Sequence, residues 1–132
     1  VRMLGLLPQD DLHARMRRAA AFVFPSMLES CPHTLLEAMA CGVPIACANV
    51  PPMPEICGDA AEYFDPHNPA AIAHSIARLL DDAALRDRFI TAGRTRTQEF
   101  TWEQTANGLR EVFARVAPGV ISTPFDSQTR SG

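Results

Sequence analysis

Residues 21–48 read AFVFPSMLESCPHTLLEAMACGVPIACA, and the order of elements in this stretch decides the fold. Ala21-Phe22-Val23-Phe24 is a short apolar run closed by Pro25, which reads as a buried strand. A polar loop through Pro32 leads into a helix over about Thr34 to Cys41, and Gly42 suits the left-handed position at which helices end. Pro44 to Ala48 makes a second apolar strand, with its proline first, where no ladder donor is lost. Strand, helix and strand joined by short links predict parallel pairing through a right-handed crossover. In such sheets ligands sit beyond the carboxyl ends of the strands, so the loop from Pro25 to His33 lies where a site is expected.

The same alternation extends to both sides. Met3 to Leu7 is apolar and short, which predicts a further buried strand, and Pro8-Gln9-Asp10 supplies a turn with Asp10 or Asp11 near a helix start. Leu12, Met16 and Ala19-Ala20 then recur at helical spacing. After residue 48, Val50-Pro51-Pro52-Met53-Pro54 is a stiff turn, because prolines fix φ and cannot continue a helix. Glu55 to Cys57 reads as a helical turn, Ala61 to Phe64 as a small edge strand, and Asp65 and Asn68 as turn and cap residues. Helices are predicted over Ala70–Leu80, Ala83–Thr97 and Trp102–Val116, the last with Thr101 as N-cap and an apolar stripe of Trp102, Leu109, Val112, Phe113 and Val116. The expected class is α/β, a Rossmann-like parallel sheet with helices on both faces, in one domain over residues 1–117. Residues 118–132 carry Ser, Thr, Pro and Gly without periodicity, which predicts a disordered tail.

Composition narrows the function classes. At 132 residues and 47% hydrophobic content the chain suits a single core. Its net charge is −3 and it contains no lysine; the densest cationic patch, Arg15, Arg17 and Arg18, is expected on a solvated helix face. Nucleic acid is therefore not an expected partner. No apolar run approaches the roughly 20 residues that cross a bilayer, and no signal peptide opens the chain, so a cytoplasmic location is expected. Cys31, Cys41, Cys47 and Cys57 show neither C-x-x-C spacing nor a histidine pair, so four reduced thiols are expected, with Cys41 and Cys47 packed as small core residues and no metal held. His13, His67 and His74 are expected on surface helices or turns.

Within the loop and helix, Glu29 and Glu37 are the two ends of ESCPHTLLE, with seven residues between them. A carboxylate is a bidentate acceptor suited to the vicinal hydroxyls of a sugar, so two at this spacing can hold two rings. Backbone N–H groups between them, with the helix dipole, favour a phosphate. A sugar, a diphosphate and a ribose in one line describe a nucleotide-sugar. An alternative stands beside this: Thr34-Leu35-Leu36-Glu37 also fits the capping box, in which Glu37 reaches back to an N-cap amide and serves only the helix.

The run from Phe22 to Pro69 resembles the nucleotide-sugar domain of retaining glycosyltransferases of family four, which adopt the two-domain GT-B fold. The likeness rests on the strand ending in Pro25-Ser26, the acidic pair, Glu37-Ala38-Met39-Ala40-Cys41-Gly42, the proline-led strand, Pro54-Glu55, Gly58-Asp59-Ala60-Ala61 and Asp65-Pro66, and it covers nearly all of residues 1–117. It implies transfer of a glycosyl group from a nucleotide-diphosphate sugar with retention at the anomeric carbon, without an obligatory metal or other cofactor. Carried over position by position, it implies that Glu29 contacts hydroxyls of the donor sugar, the catalytic position here, and that Glu37 grips the ribose. Ser30, Cys31, Pro32, His33, Thr34 and Leu35 then line the donor, chiefly through the amides of Cys31, His33 and Thr34. Pro32 departs from the glycine of many relatives and has no N–H to give, a loss that the His33 side chain is placed to offset.

In that family an acceptor-binding domain and the first donor-domain strands precede this region, and the opening Val1-Arg2-Met3 resembles the start of a fragment. The arginine and lysine that such enzymes use on the leaving diphosphate also lie upstream, and no residue here matches them. The resemblance thus implies the C-terminal half of a GT-B enzyme, inactive by itself, with the acceptor domain as partner and with peripheral membrane contact open to a longer parent. The competing class is a non-catalytic Rossmann-like binding module or decayed half-enzyme whose acidic pair only caps a helix. A dinucleotide-dependent dehydrogenase is disfavoured by the lack of G-x-G-x-x-G after a strand.

Overall fold

The structure, a computed structural model, describes residues 1–117. Among these the order is α1 (Gln9–Met16), β1 (Phe22–Phe24), α2 (His33–Cys41), β2 (Ile45–Ala48), α3 (Met53–Cys57), β3 (Ala61–Phe64), α4 (Pro69–Asp81), α5 (Ala83–Thr97) and α6 (Trp102–Val116). The strands form one parallel sheet in the order β1-β2-β3. Phe22 stands opposite Ile45, and Ile45 opposite Ala61. Pro44 has no N–H, and it joins the ladder through its carbonyl, which accepts from Phe22 N at 2.9 Å.

Burial follows from the position of β2 between two neighbours. Its side chains alternate across the sheet, yet Ile45, Ala46, Cys47 and Ala48 are all 0% exposed, so both faces of the central strand are covered. Leu35 and Met39 of α2, Met53 and Cys57 of α3 and Leu79 of α4 complete this core. Each buried Leu or Met side chain contributes about 2 kcal/mol. Gly93 of α5 lies where a Cβ would stand 3.1 Å from Met39 Cγ, so the missing side chain is what lets α5 approach α2. The α2 end is closed by Gly42 at φ +72°, its N–H donating to Met39 O, as the sequence predicts.

Other connections are held by side chains from the predicted positions. Asn68 Oδ1 accepts from the N–H groups of Ala70 and Ala71 and caps α4, and Asp65 Oδ1 accepts from His67 N in the preceding turn. Asp82 caps α5 by accepting from Leu85 N. Arg96, near the end of α5, donates to the carbonyls of Ile56 and Glu55 at 3.1 and 2.6 Å, which satisfies α3 carbonyls that have no partner within so short a helix. Glu62 and Arg78 pair at 2.5 Å and tie β3 to α4.

Two expectations are corrected. Residues 3–7 form no strand: they join no ladder, Gly5 takes φ +66°, and Met3, Leu4 and Leu6 are exposed. An extended segment is stabilised by its neighbour, and a left-handed residue at its centre turns the backbone away from one. Cys57 rather than Cys41 is the second fully buried thiol, because Cys57 of α3 lies beside Cys47 in the core while Cys41, at the end of α2, stays half-buried. His13 lies on a largely exposed helix, as expected, with its side chain 26% exposed, but its Nε2 is shielded from solvent.

The chain divides into two compact units, one over Val1–Glu99 and one beginning at Phe100, where the sequence suggested a single domain over residues 1–117. α6, in the second unit, is capped by Thr101, whose hydroxyl accepts from Gln104 N at 3.1 Å. Leu109, Val112, Phe113 and Val116 fall at i, i+3, i+4 and i+7 and so share one side of that helix. The tail predicted over residues 118–132 lies outside the described residues.

Candidate functional site

Strand β1 ends at Phe24, and the loop that leaves it carries Glu29 back to the start of α2. Ser26 Oγ donates to Glu29 Oε1 at 2.7 Å and lies 3.4 Å from Leu28 O, so the first carboxylate is held by a hydroxyl three residues before it. Glu29 is half-buried, while Ser30, Cys31 and His33 are exposed. Pro32 is buried and stands at the N-cap of α2 with no side-chain cap. The first amides of a helix have no partner inside it, and here no capping side chain takes them.

Those amides are not all equivalent. His33 N donates to Cys31 O at 2.9 Å, and Leu35 N donates to Pro32 O at 2.9 Å, so both are committed within the loop and first turn. The N–H groups of Cys31 and Thr34 carry no hydrogen bond among the described residues. They are the donors left at the helix start, where the dipole also favours an anion. Leu35 is 0% exposed and packs into the core, so it seats the helix rather than presenting a polar group.

Glu37 lies one turn into α2, and its hydrogen-bond partner comes from another helix. The capping box is not made: α2 begins at His33, and no side chain caps it. Glu37 Oε1 instead accepts from Gln9 Nε2 of α1 at 3.1 Å, and His13 Nε2 stands 3.8 Å from the same oxygen. Oε2 has no protein hydrogen bond among the described residues. Both carboxylates of the pair are thus held through one oxygen, with no protein hydrogen bond to the other among the described residues. Their side chains are only partly shielded, with that of Glu37 at 30% exposure, so a hydroxyl can reach it from solvent.

Sequence reasoning singled out the loop and both carboxylates, but it started the helix at about Thr34 with a capping box as one alternative, where the structure starts it at His33 with no side-chain cap. It missed Ser26, Gln9 and His13 as partners of the acidic pair. Gln9 and His13 stand at i and i+4, which places them on one face of α1, but nothing local says that this face meets α2. Among the described residues no group of three His, Cys, Asp or Glu side chains is arranged to hold a metal ion.

Elsewhere two groups are strongly perturbed. The Tyr63 hydroxyl donates to Gly58 O at 2.6 Å, and burial, with the neighbouring Cys57 and Cys47, pushes its pKa above the ordinary value. A hydrogen bond shared with Cys57, then burial, pushes the Cys47 thiol far up. Both stand on strands of the sheet, Cys47 on β2 and Tyr63 on β3, rather than in the loop, and they fit packing rather than chemistry.

Comparison with known proteins adds an independent finding. The family "Glycosyl transferases group 1" matches residues 1–96. The O-antigen chain mannosyltransferase B of Escherichia coli is 38% identical over 114 residues, a match covering 83% of this chain and 30% of that protein. The D-inositol 3-phosphate glycosyltransferase of Salinispora arenicola is 36% identical over 115 residues, covering 86% of this chain and 26% of that one. Among solved structures, sucrose-phosphate synthase from Thermosynechococcus elongatus superposes with a TM-score of 0.75 at 27% identity, covering 86% of this chain and 29% of its own. The chain therefore spans less than a third of the length of each of these relatives.

Proposed function

Because the chain belongs to the family of glycosyl transferases group 1, we propose that it is the donor-binding part of a retaining glycosyltransferase, one that moves a glycosyl group from a nucleotide-diphosphate sugar to an acceptor. Its parallel α/β sheet is consistent with the C-terminal domain of a GT-B enzyme. In this reading Glu29 accepts from hydroxyls of the donor sugar, and Glu37 accepts from the ribose through Oε2. The free amides of Cys31 and Thr34 and the dipole of α2 face the diphosphate, and the exposed His33 side chain takes the place of the amide that Pro32 lacks.

The observation that carries this reading is the partner of Glu37. A carboxylate serving only the helix would turn back to the N-cap amide, whereas Glu37 is held from α1 with one oxygen left open. It stands near the start of α2, at the carboxyl end of β1, where open parallel sheets bind ligands.

Retention at the anomeric carbon requires the leaving diphosphate to be stabilised as its bond breaks. Amides and protein cations do this without an obligatory metal. No residue of this chain matches the family's cationic pair, so its 132 residues are proposed to bind donor without turning it over. The acceptor domain is the partner that completes the reaction. We place the protein in the cytoplasm, with peripheral membrane contact open to a longer parent; no helix among the described residues is long and apolar enough to cross a membrane.

The test is ligand-observed NMR with UDP, GDP and ADP, each alone and as its glucose or mannose conjugate. The name of the Escherichia coli relative puts the mannose conjugate first. Saturable binding of one nucleotide, strongly weakened by Glu37→Ala, is the expected result. The same variant should lose no more than about 1.5 kcal/mol of stability, the scale of one hydrogen bond. A folded chain that binds none of these nucleotides would overturn the proposal.

A further inference from the structure

His13 poses a question that the fold does not answer. It sits on α1, half-buried, and its Nε2 is shielded from water without a hydrogen-bond partner. A buried polar nitrogen left unpaired is unfavourable, and native structures carry few of them without a reason. The acceptor it faces is Glu37 Oε1, 3.8 Å away, which is too long for a hydrogen bond but within reach of a small rotation of the glutamate. One helical turn earlier, Gln9 Nε2 already donates to that same oxygen at 3.1 Å. The α1 backbone is itself tied to α2, since the Cys41 thiol lies 3.9 Å from His13 O.

We infer that Gln9 and His13 are positioning residues for the donor site: together they clamp Oε1 of Glu37 from α1, so that Oε2 is presented to the ribose hydroxyls of a nucleotide. A glutamate has three side-chain torsions, and a ligand that must order them binds more weakly than one that finds them fixed. Gln9 supplies the standing hydrogen bond. His13 supplies a second donor, which closes on Oε1 when the ribose draws the carboxylate into place and so satisfies its own nitrogen. The inference rests on the donor-site reading of Glu37 given above and extends it to a helix outside the acidic motif.

The clamp acts on the ribose alone, which makes it separable from a general effect on folding. Binding of the preferred nucleoside diphosphate and of its 2′,3′-dideoxy counterpart is measured for the unaltered chain and for Gln9→Ala, His13→Ala and His13→Gln. Each alanine variant should weaken the ribose-bearing nucleotide by about two- to tenfold while leaving the dideoxy form unchanged. His13→Gln, which keeps an N–H donor, should recover most of the loss. In the Glu37→Ala background neither alanine variant should have a further effect on whatever binding remains.

A ligand-free readout stands beside these. Long-range nitrogen-proton NMR should find His13 with its proton on Nε2, and the Gln9 side-chain amide signal should move on Glu37→Ala. A His13 proton on Nδ1, or equal weakening of ribose and dideoxy forms, overturns the clamp and leaves the donor site standing. Failure of every nucleotide to bind the unaltered chain overturns the donor site, and the purpose assigned to the clamp with it.

Discussion

At the scale of single residues, the chain shows how much a carboxylate's role depends on its neighbour. Glu29 and Glu37 are the same chemical group, and each is pinned through Oε1, one by Ser26 three residues away and the other by Gln9 twenty-eight residues away. The first contact was within reach of sequence reasoning, since a serine hydroxyl three residues before a glutamate in a loop is a local pairing. The second was not, because it needs α1 and α2 to be side by side. The same contrast separates Cys41 from Cys57: both are small and apolar in sequence, and only packing makes the second the buried one. Tyr63 gives a prediction at this scale. Its pKa is raised above the ordinary 10.0, so the folded chain holds a proton that the unfolded chain gives up first. Stability is then fully present below pH 10 and falls as the pH rises above it. Urea unfolding across the alkaline range should show this decline, and Tyr63→Phe should make it shallower. An unchanged slope in the variant would remove Tyr63 as the cause.

At the scale of elements, local chemistry fixed the ends of helices more firmly than the existence of strands. Asn68, Thr101 and Gly42 occupy the caps that their types predict, and α5 and α6 have the predicted bounds. A cap is an interaction within four residues, so the sequence contains both partners. A strand has its partner elsewhere in the chain. Residues 22–24, 45–48 and 61–64 found theirs, and residues 3–7, equally apolar, did not. Helix α2 adds a subtler case: Thr34 and Glu37 have capping-box spacing, but the helix starts two residues before that box would have it, at His33, with Pro32 as N-cap. Proline at that point fixes its own φ and leaves the box without its N-cap. Gly42 supplies the prediction here. It holds φ +72°, and an added Cβ would meet Arg94 Nη2 at 2.7 Å, so Gly42→Ala combines backbone strain with displacement of the α5 guanidinium. The expected loss is about 1–2 kcal/mol by thermal or chemical unfolding. A neutral result would mean that α2 does not depend on its left-handed end.

At the scale of the whole molecule, the unit over Val1–Glu99 is a three-stranded parallel sheet whose central strand is covered on both faces and whose carboxyl end carries the acidic loop. The donor-binding role proposed above asks for little more than this, whereas glycosyl transfer also needs an acceptor and a cation on the leaving group. Incubation of the isolated chain with nucleotide-sugar and a range of acceptors should therefore yield no transfer product; measurable turnover would show that its own residues supply the missing charge. The sequence by itself determined the α/β class, the order and type of nearly all elements, the family likeness and the two carboxylates, because these depend on periodicity, caps and spacing within short windows. Only the tertiary structure decided that Glu37 answers to α1 rather than to its own helix, that His13 is shielded, that Cys57 joins the core and that residues 3–7 stay unpaired. Each of these turns on which surfaces meet across tens of residues, and contact between distant segments is set by the packing of the whole sheet and its helices, which no local window of sequence contains.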